Sequence, residues 1–251
     1  MVRVASRLAP PRLGSSSLGS GPAPVGTAPH LWTGDFETGS LSQWEVRQQA
    51  VPGRISVVRS AAAQGGYAGR FEARQGEYTG RDSTVNRSEL AVSRYPDGSR
   101  DNEGDERWYR WQTKLPADFP EVSGRNFATI MQWMRDDNRD PRPLSFGIVG
   151  RSLRIASGGT RYLGPISRGE WHEFLVHAKW SSDPRVGFIE VFQDGRLILP
   201  KLHLQNAYKD SSGRPIRHYI KQGLYKSDAV PSAHLFHDGM TVANSRAAAE
   251  R

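Results

Sequence analysis

The residues from 218 to 228, HYIKQGLYKSD, include side chains that can transfer a proton. In a β-strand, alternation with a period of two puts Tyr219, Lys221 and Tyr225 on one face, together with Gly223, which leaves the backbone bare there. The opposite face is nearly apolar and is predicted to pack. A cation beside a phenol favours the phenolate and lowers the phenol pKa from its reference value of about 10. The spacing predicts a proton-transfer tyrosine, and the alternative interpretation is a half-exposed structural strand with an amphipathic face.

Two further segments offer polar partners at strand spacing. In the sequence Arg87-Ser88-Glu89-Leu90, Arg87 and Glu89 share a face. Glu89 either orients the guanidinium or forms an ordinary cross-strand ion pair. In residues 127–134, FATIMQWM, Gln132 lies on an otherwise apolar face, where a buried amide requires a partner or a ligand.

The pattern of the chain predicts an all-β fold. The 251 residues include 26 Gly, 16 Pro and seven Trp, and they show no long stretch of helical periodicity. We expect an opening strand and turn in residues 31–44, and roughly twelve short strands in two stacked antiparallel sheets, one of them curved into a concave groove for a polymer. The expected strands are 55–60, 67–74, 88–93, 107–115, 127–134, 144–149, 152–156, 171–180, 188–193, 196–199, 218–228 and 233–242. Two pairs form hairpins, at Gly150-Arg151 and at Asp194-Gly195.

The ends of the chain differ in composition from this region. Residues 1–30 are rich in Gly, Pro, Ser and Ala and carry three Arg without an acidic residue, which predicts a disordered leader. They lack the apolar stretch of a secretory signal. A single domain is expected over residues 31–242, followed by a flexible tail over residues 243–251.

Charge and composition limit the partners. The net charge is +8 and the isoelectric point is about 10.0, which favours an acidic partner. No nucleic-acid-binding module and no apolar run of transmembrane length is present, so we expect neither nucleic acid nor a membrane as partner, and we expect a monomer. The chain has no Cys. We predict no cofactor and no metal ligands, and because no segment has calcium-loop spacing, calcium dependence is left open.

Taken in order, the three polar sets resemble those of the jelly-roll polysaccharide lyases, whose alginate-cleaving members carry R-(S/T)-E-L, Q-(I/V)-H and Y-x-K-x-G-x-Y on three strands of the concave sheet. The closer resemblance is to the heparin lyase I and glucuronan lyase group. It extends over residues 32–243 through the opening GDFETGSLSQW, the HAKW strand and the closing FHDGM. The resemblance implies a concanavalin A-like β-jelly-roll, cleavage of an acidic polysaccharide by β-elimination, and secretion.

The resemblance also implies roles for individual residues. Arg87 and Gln132 neutralise the carboxylate of a uronic acid, so that its C5 proton becomes acidic. Tyr225 removes that proton and protonates the leaving oxygen, with Lys221 stabilising its phenolate. Three further residues are expected to bind substrate: Glu89, Tyr219 and Lys179.

One position departs from the related pattern, because Met134 stands where those lyases often have a histidine two residues after the glutamine. Either Tyr225 acts alone, or a histidine from another strand serves, or activity is lost. His177, on the Glu173/Lys179 face of its strand, is the predicted substitute, although a structural role for it is the alternative. His172 faces the apolar set and is expected to be a core residue.

Two other functions fit parts of the sequence. A glycoside hydrolase on the same sandwich needs two carboxylates flanking the bond, and the nearest cluster is Glu103, Asp105 and Glu106 in a turn-rich segment. A non-catalytic module for acidic glycans would use the same Arg, Lys and Trp side chains without turnover.

Overall fold

The computed structural model describes residues 30–80, 82–96 and 100–251. The predicted leader, apart from His30, lies outside the described residues.

The described residues form seventeen β-strands and one short helix. The strands are β1 (Trp32–Gly34), β2 (Val46–Gln49), β3 (Ile55–Val58), β4 (Ala68–Ala73), β5 (Val85–Val92), β6 (Glu106–Lys114), β7 (Ala128–Arg135), β8 (Leu144–Val149), β9 (Ser152–Ala156), β10 (Thr160–Pro165), β11 (Trp171–Lys179), β12 (Phe188–Gln193), β13 (Arg196–His203), β14 (Tyr208–Lys209), β15 (Pro215–Ile216), β16 (His218–Ser227) and β17 (Ala233–Ala243). The helix is α1 (Arg246–Ala249).

Two large antiparallel sheets make up the molecule. One has the strand order β13-β12-β11-β6-β17-β4-β3, with β1 also paired to β17, and the other has the order β10-β9-β8-β7-β16-β5-β2. β14 and β15 form a separate two-stranded pair. The predicted all-β sandwich of two antiparallel sheets is therefore confirmed, and so are both predicted hairpins, β8 with β9 and β12 with β13.

Aromatic side chains fill the space between the sheets. Trp111, from the eight-stranded sheet, packs edge-on against Phe146 and Trp133 of the seven-stranded sheet, with ring centroids 5.0 and 6.1 Å away. All three are fully buried. Since successive side chains of a strand point to opposite faces, the residues between these core positions lie on the outer faces of the sandwich.

The strands that sequence reasoning missed include the two edges of the seven-stranded sheet. β2 and β10 are each paired on one side only, and most of their residues are half-buried or exposed. An edge strand with little buried surface has no hydrophobic alternation to reveal it. Leu163 of β10, for example, is 58% exposed.

The segment predicted as a flexible tail contains a short helix. Residues 246–249 form α1, capped by the Ser245 hydroxyl, which accepts a hydrogen bond from the Ala248 amide. Ala248 and Ala249 are buried against Leu175 on the outer face of the eight-stranded sheet. The Ala248 carbonyl also accepts a hydrogen bond from His30 Nε2 at 2.7 Å. Apolar contact that the sequence pattern does not show holds this segment in place.

Candidate active site

β16 lies between β5 and β7 in the seven-stranded sheet. Its Ile220 and Leu224 point into the core, so Lys221 and Tyr225 point outward. The register places Lys221 opposite Gln132 of β7, and Tyr225 opposite Arg87 of β5. The three polar sets singled out in the sequence therefore meet on one outer face, which we call the Tyr225 face.

Glu89 is the residue on which these side chains converge. Its carboxylate is 2% exposed and accepts hydrogen bonds from Gln132 Nε2 at 2.5 Å and from Lys221 Nζ at 2.8 Å. The Arg87 Nε atom forms an ion pair with it at 3.0 Å. Two cations thus surround one buried anion, and the cluster retains an excess of positive charge.

Tyr225 lies beside this cluster with its ring held from two directions. The Arg87 guanidinium carbon stacks over the ring at 4.2 Å from its centroid, and Phe127 meets the ring edge-on at 4.9 Å. Tyr225 is only half-buried. Among the described residues nothing hydrogen-bonds to its hydroxyl group, which is therefore available to an incoming molecule.

Burial changes the acidity of Lys221 and Tyr219. Desolvation is the main cause of a lowered Lys221 pKa, partly opposed by the charge of Glu89. Desolvation is also the main cause of a raised Tyr219 pKa, followed by the charges of Glu89 and Asp136. For Tyr219, burial thus outweighs the effect of the cations Arg87 and Arg142, which act to lower its pKa.

Tyr219 is instead fixed as a hydrogen-bond donor. Its hydroxyl group donates to Asn138 Oδ1 at 2.7 Å. Tyr219 and Lys221 line a depression of about 460 Å³, together with Gln48, Arg100 and Asn138. Tyr219 therefore lines this depression with its hydroxyl hydrogen already bonded to Asn138.

The Gln132 side chain was expected to need a hydrogen-bond partner, and the structure supplies one for only one of its two polar atoms. Its Nε2 donates to Glu89, while its buried Oε1 has no hydrogen-bond partner in the described part of the chain. An unsatisfied buried acceptor of this kind calls for a donor from a ligand or from water. One amide hydrogen of Nε2 also remains for a second acceptor.

His177 does not substitute for the missing histidine. β11 pairs with β6 and β12, so it belongs to the eight-stranded sheet, and its Phe174 and Val176 point into the core. His177 and Lys179 consequently lie on the outer face opposite to the Tyr225 face. The predictions that His177 acts beside Tyr225 and that Lys179 binds the same substrate are corrected.

His177 instead has structural partners on that opposite face. Its ring stacks on Trp108 at 4.0 Å, and its nitrogens contact Glu106 at 2.8 Å and Glu190 at 3.3 Å. Lys179 lies 3.5 Å from Glu106. His172 is buried as expected, with both ring nitrogens satisfied, by Asp194 and Ser167.

The sequence did not reveal that loop residues help to form the surroundings of the Tyr225 face. Asn138 and Arg142, in the loop between β7 and β8, face the cluster, and Arg142 Cζ is 5.8 Å from the centroid of the Tyr225 ring. On the β2 side, a depression of about 440 Å³ is lined by Arg47, Tyr78 and Arg87, among others. The available signal was that the loop DDNRDPR directly follows the strand carrying Gln132.

Comparison with known families decides the class of protein. The family model described as polysaccharide lyase matches residues 36–241. The chain belongs to the polysaccharide lyase family. None of the curated proteins matches it closely enough to show a relationship.

Solved structures show how widely this lyase's fold is shared. An endo-β-1,4-glucuronan lyase from the fungus Trichoderma reesei has a TM-score of 0.69 at 17% identity, covering 86% of this chain and 96% of that one. The alginate lyase PA1167 from Pseudomonas aeruginosa has a TM-score of 0.52 at 17% identity, covering 78% and 87%. With the observed sheets, these neighbours confirm the predicted jelly-roll fold. The resemblance to heparin lyase I stays a prediction.

The same fold also occurs in a hydrolase. The catalytic domain of a glycoside hydrolase family 131 protein from Coprinopsis cinerea has a TM-score of 0.58 at 10% identity, covering 87% of this chain and 95% of that one. In this lyase the carboxylates Glu103 and Glu106 do not reach the Tyr225 face, because Glu103 binds Ser181 and Ser182 beside β11, and Glu106 binds His177. No pair of carboxylates suited to hydrolysis is formed by these residues at Tyr225.

Two observations concern partners and metals. No helix in the described ranges is long and apolar enough to cross a membrane. Within the same ranges, no three His, Asp or Glu side chains are grouped so that they could hold a metal ion.

Proposed function

We propose that this polysaccharide lyase cleaves a polymer of uronic acid by β-elimination on the Tyr225 face. The observation that carries the proposal is the convergence of Arg87, Gln132 and Lys221 around Glu89, directly beside an uncommitted tyrosine hydroxyl group. Elimination requires a group that neutralises the uronate carboxylate and a group that moves the C5 proton. Both kinds of group are present within the reach of one sugar residue.

Neutralisation of the carboxylate falls to Arg87 and Gln132. Arg87 is 25% exposed, so part of its guanidinium faces the solvent side while Nε pairs with Glu89. The second amide hydrogen of Gln132 is available to the same carboxylate. Glu89 is a positioning residue here: its carboxylate fixes Arg87, Lys221 and Gln132, so that they need not reorganise as negative charge develops on the enolate-like intermediate.

Proton transfer falls to Tyr225. Its phenolate takes the proton from C5, the C4–O bond breaks as the C4–C5 double bond forms, and the phenol then returns the proton to the leaving oxygen. The Arg87 guanidinium stacks over the ring and fixes its position. Lys221 contributes only indirectly, by holding Glu89, to which it donates a hydrogen bond.

Met134, which stands where related lyases often have a histidine, limits which uronate polymers can be substrates. Met134, opposite Tyr219 on the neighbouring strand, has no titratable group. If Tyr225 is both base and acid, the C5 proton and the C4 oxygen must lie on the same face of the sugar. D-Glucuronate and D-mannuronate meet this condition, whereas L-guluronate, L-iduronate and D-galacturonate do not.

The test is a screen of polyuronates for the ultraviolet absorbance of the unsaturated uronate product, which neither hydrolysis nor binding generates. We expect polymers of D-glucuronate or D-mannuronate to give product and polymers of the other three uronates to give little. Absence of product from all five would leave hydrolysis or binding without turnover and would overturn the proposal. Export from the cell and a monomeric state belong to the same proposal and are checked by culture fractionation and gel filtration.

A further inference from the structure

Arg142 is a cation of the Tyr225 face that Glu89 does not hold. It follows β7 in the loop that leads to β8, and its guanidinium carbon lies 5.8 Å from the Tyr225 ring centroid, on the ring that Arg87 approaches at 4.2 Å. Its charge is among those that depress the pKa of Lys221, which places it close to the cluster. The proposed reaction does not use it.

The pairing of Arg142 is weak. Its Nε lies 3.6 Å from Asp140 Oδ1, and the Asp140 side chain is 79% exposed, so solvent screens this pair. The same Nε is buried and has no hydrogen-bond partner among the described residues. A buried guanidinium nitrogen without a partner is costly unless a ligand satisfies it.

A depression of about 330 Å³ lies beside Arg142, on the β8 side of Tyr225. Ser145, which lines it, is the register partner of Gln132, so the depression begins one strand away from the cluster. Asp140 also lines it, with a side chain that is 79% exposed to solvent. Gly158 and Gly159 line it as well, and without side chains they leave room for a ring. Arg142 therefore borders both the reacting centre and a separate space that can hold one sugar residue.

We propose that this depression is a subsite for the uronate residue adjacent to the one that is cleaved, and that Arg142 recognises its carboxylate. The planar guanidinium presents donors in a fork that matches a carboxylate. The inference rests on the proposed function and narrows it, because such a subsite selects for two consecutive uronates. A polymer in which uronate alternates with an uncharged sugar would leave Arg142 without its partner.

The experiment measures oligosaccharide binding by calorimetry in a Tyr225→Phe background, where the substrate is expected to be consumed at least about a hundredfold more slowly. One probe is an oligomer of consecutive D-glucuronates, and the other alternates D-glucuronate with an uncharged sugar. Adding Arg142→Ala should weaken binding of the first about 10- to 100-fold, as expected for a hydrogen-bonded charge pair, and should leave the second unchanged. Arg142→Lys should weaken binding of the first probe less than Arg142→Ala does. Arg139→Ala, an exposed arginine of the same loop, is the matched control and should affect neither probe.

Other outcomes overturn the inference. An equal loss for both probes would assign Arg142 to the reacting carboxylate, and no loss for either would leave it without a role in binding. Thermal melting of each variant establishes that it is folded, and Arg142→Lys provides the same selective comparison if Arg142→Ala is unstable. Failure of the proposed function is a different result, namely no unsaturated product from the unmodified protein on any polyuronate.

Discussion

Replacing Tyr225 by phenylalanine removes one hydroxyl group and leaves the aromatic ring between Arg87 and Phe127. Because general acid–base groups contribute about 10²- to 10⁴-fold, we expect Tyr225→Phe to lower kcat at least about a hundredfold with little change in polymer affinity. Steady-state kinetics together with a binding measurement test this. Tyr67→Phe is the control, since Tyr67 lies under Arg59 in a similar stack in the segment between β3 and β4. Wild-type turnover by Tyr225→Phe would contradict the proposal that Tyr225 transfers the proton.

Arg87 contributes before and during the reaction, since the substrate carboxylate is already charged in the ground state. Arg87→Ala should therefore raise KM and lower kcat together, whereas Tyr225→Phe acts mainly on kcat. The matched control is Arg59→Ala, which removes a guanidinium 4.7 Å from the Tyr67 ring. A change in kcat alone for Arg87→Ala would show that Arg87 does not bind the ground-state carboxylate.

β16 depends on a glycine at its centre. Gly223 has a φ of 147°, and a Cβ placed there would lie 2.2 Å from the Ser88 carbonyl oxygen and 2.7 Å from Glu89 Cα, both on β5. Backbone atoms of a neighbouring strand cannot move aside as a flexible side chain can. The glycine of K-x-G-x-Y thus lets β5 approach closely enough to bring Glu89 to Lys221.

Gly223→Ala should therefore cost both stability and activity. Backbone strain and steric overlap together should lower the free energy of unfolding by at least about 2 kcal/mol. Gly213→Ala is the control, because Gly213 also has a positive φ of 80° but no atom within 4 Å of its Cβ position, and about 1 kcal/mol is expected there. Urea denaturation measures the loss of unfolding free energy in each of the two variants. Equal losses would show that close approach of β5 is not the reason for Gly223.

Strand periodicity accounts for what the sequence could predict of this site. It placed Arg87 with Glu89 and Lys221 with Tyr225, because a period of two is a local property. It also singled out Gln132 as a polar residue among apolar ones, but it put Ala128 and Ile130 on the same face, whereas both point into the core because the register shifts between Thr129 and Met131. It could not say which sheet a strand joins. β11 alternates as regularly as β16, yet its pairing with β6 takes His177 to the opposite side of the sandwich. Arg142 and Asn138 escaped notice since loop residues have no periodicity.

The stability of the whole domain should depend on pH through buried histidines. His218 packs edge-on against Trp180 at 5.1 Å with both ring nitrogens unpaired in the described structure, and burial lowers its pKa to about 3. Below about pH 6.5 the His218 imidazole binds a proton in the unfolded chain, whereas in the folded chain it stays neutral. The contribution of His218 is therefore complete above that pH and is lost as pH falls towards 3. Asp101 and Asp238, with pKa values raised to about 6, act in the opposite direction.

His218→Leu isolates the contribution of His218 from that of the buried His237, whose pKa burial lowers to about 4. Between about pH 7.5 and about pH 5, the variant should lose about 2 kcal/mol less stability than the unmodified protein, since about 1.4 kcal/mol corresponds to one pH unit below the unfolded pKa. Urea denaturation at both pH values gives the difference. The exposed His203 supplies the control His203→Leu, which removes an imidazole without changing a buried position. The same pH dependence in both variants would contradict the assignment to His218.

Attraction of the polymer is a property of the molecule's total charge. The net charge is +8, and Arg47, Arg100 and Arg142 line the depressions around the Tyr225 face. Exposed charges are screened beyond about 8 Å at physiological ionic strength, whereas the buried contacts of Glu89 with Lys221 and Arg87 are screened much less. Added salt should therefore raise KM for the polymer and weaken retention on heparin resin while kcat stays nearly constant. Initial rates at low and high sodium chloride test this with one preparation. A KM that does not change with salt, or a kcat that falls by the same factor as KM rises, would show that the exposed arginines do not attract the substrate.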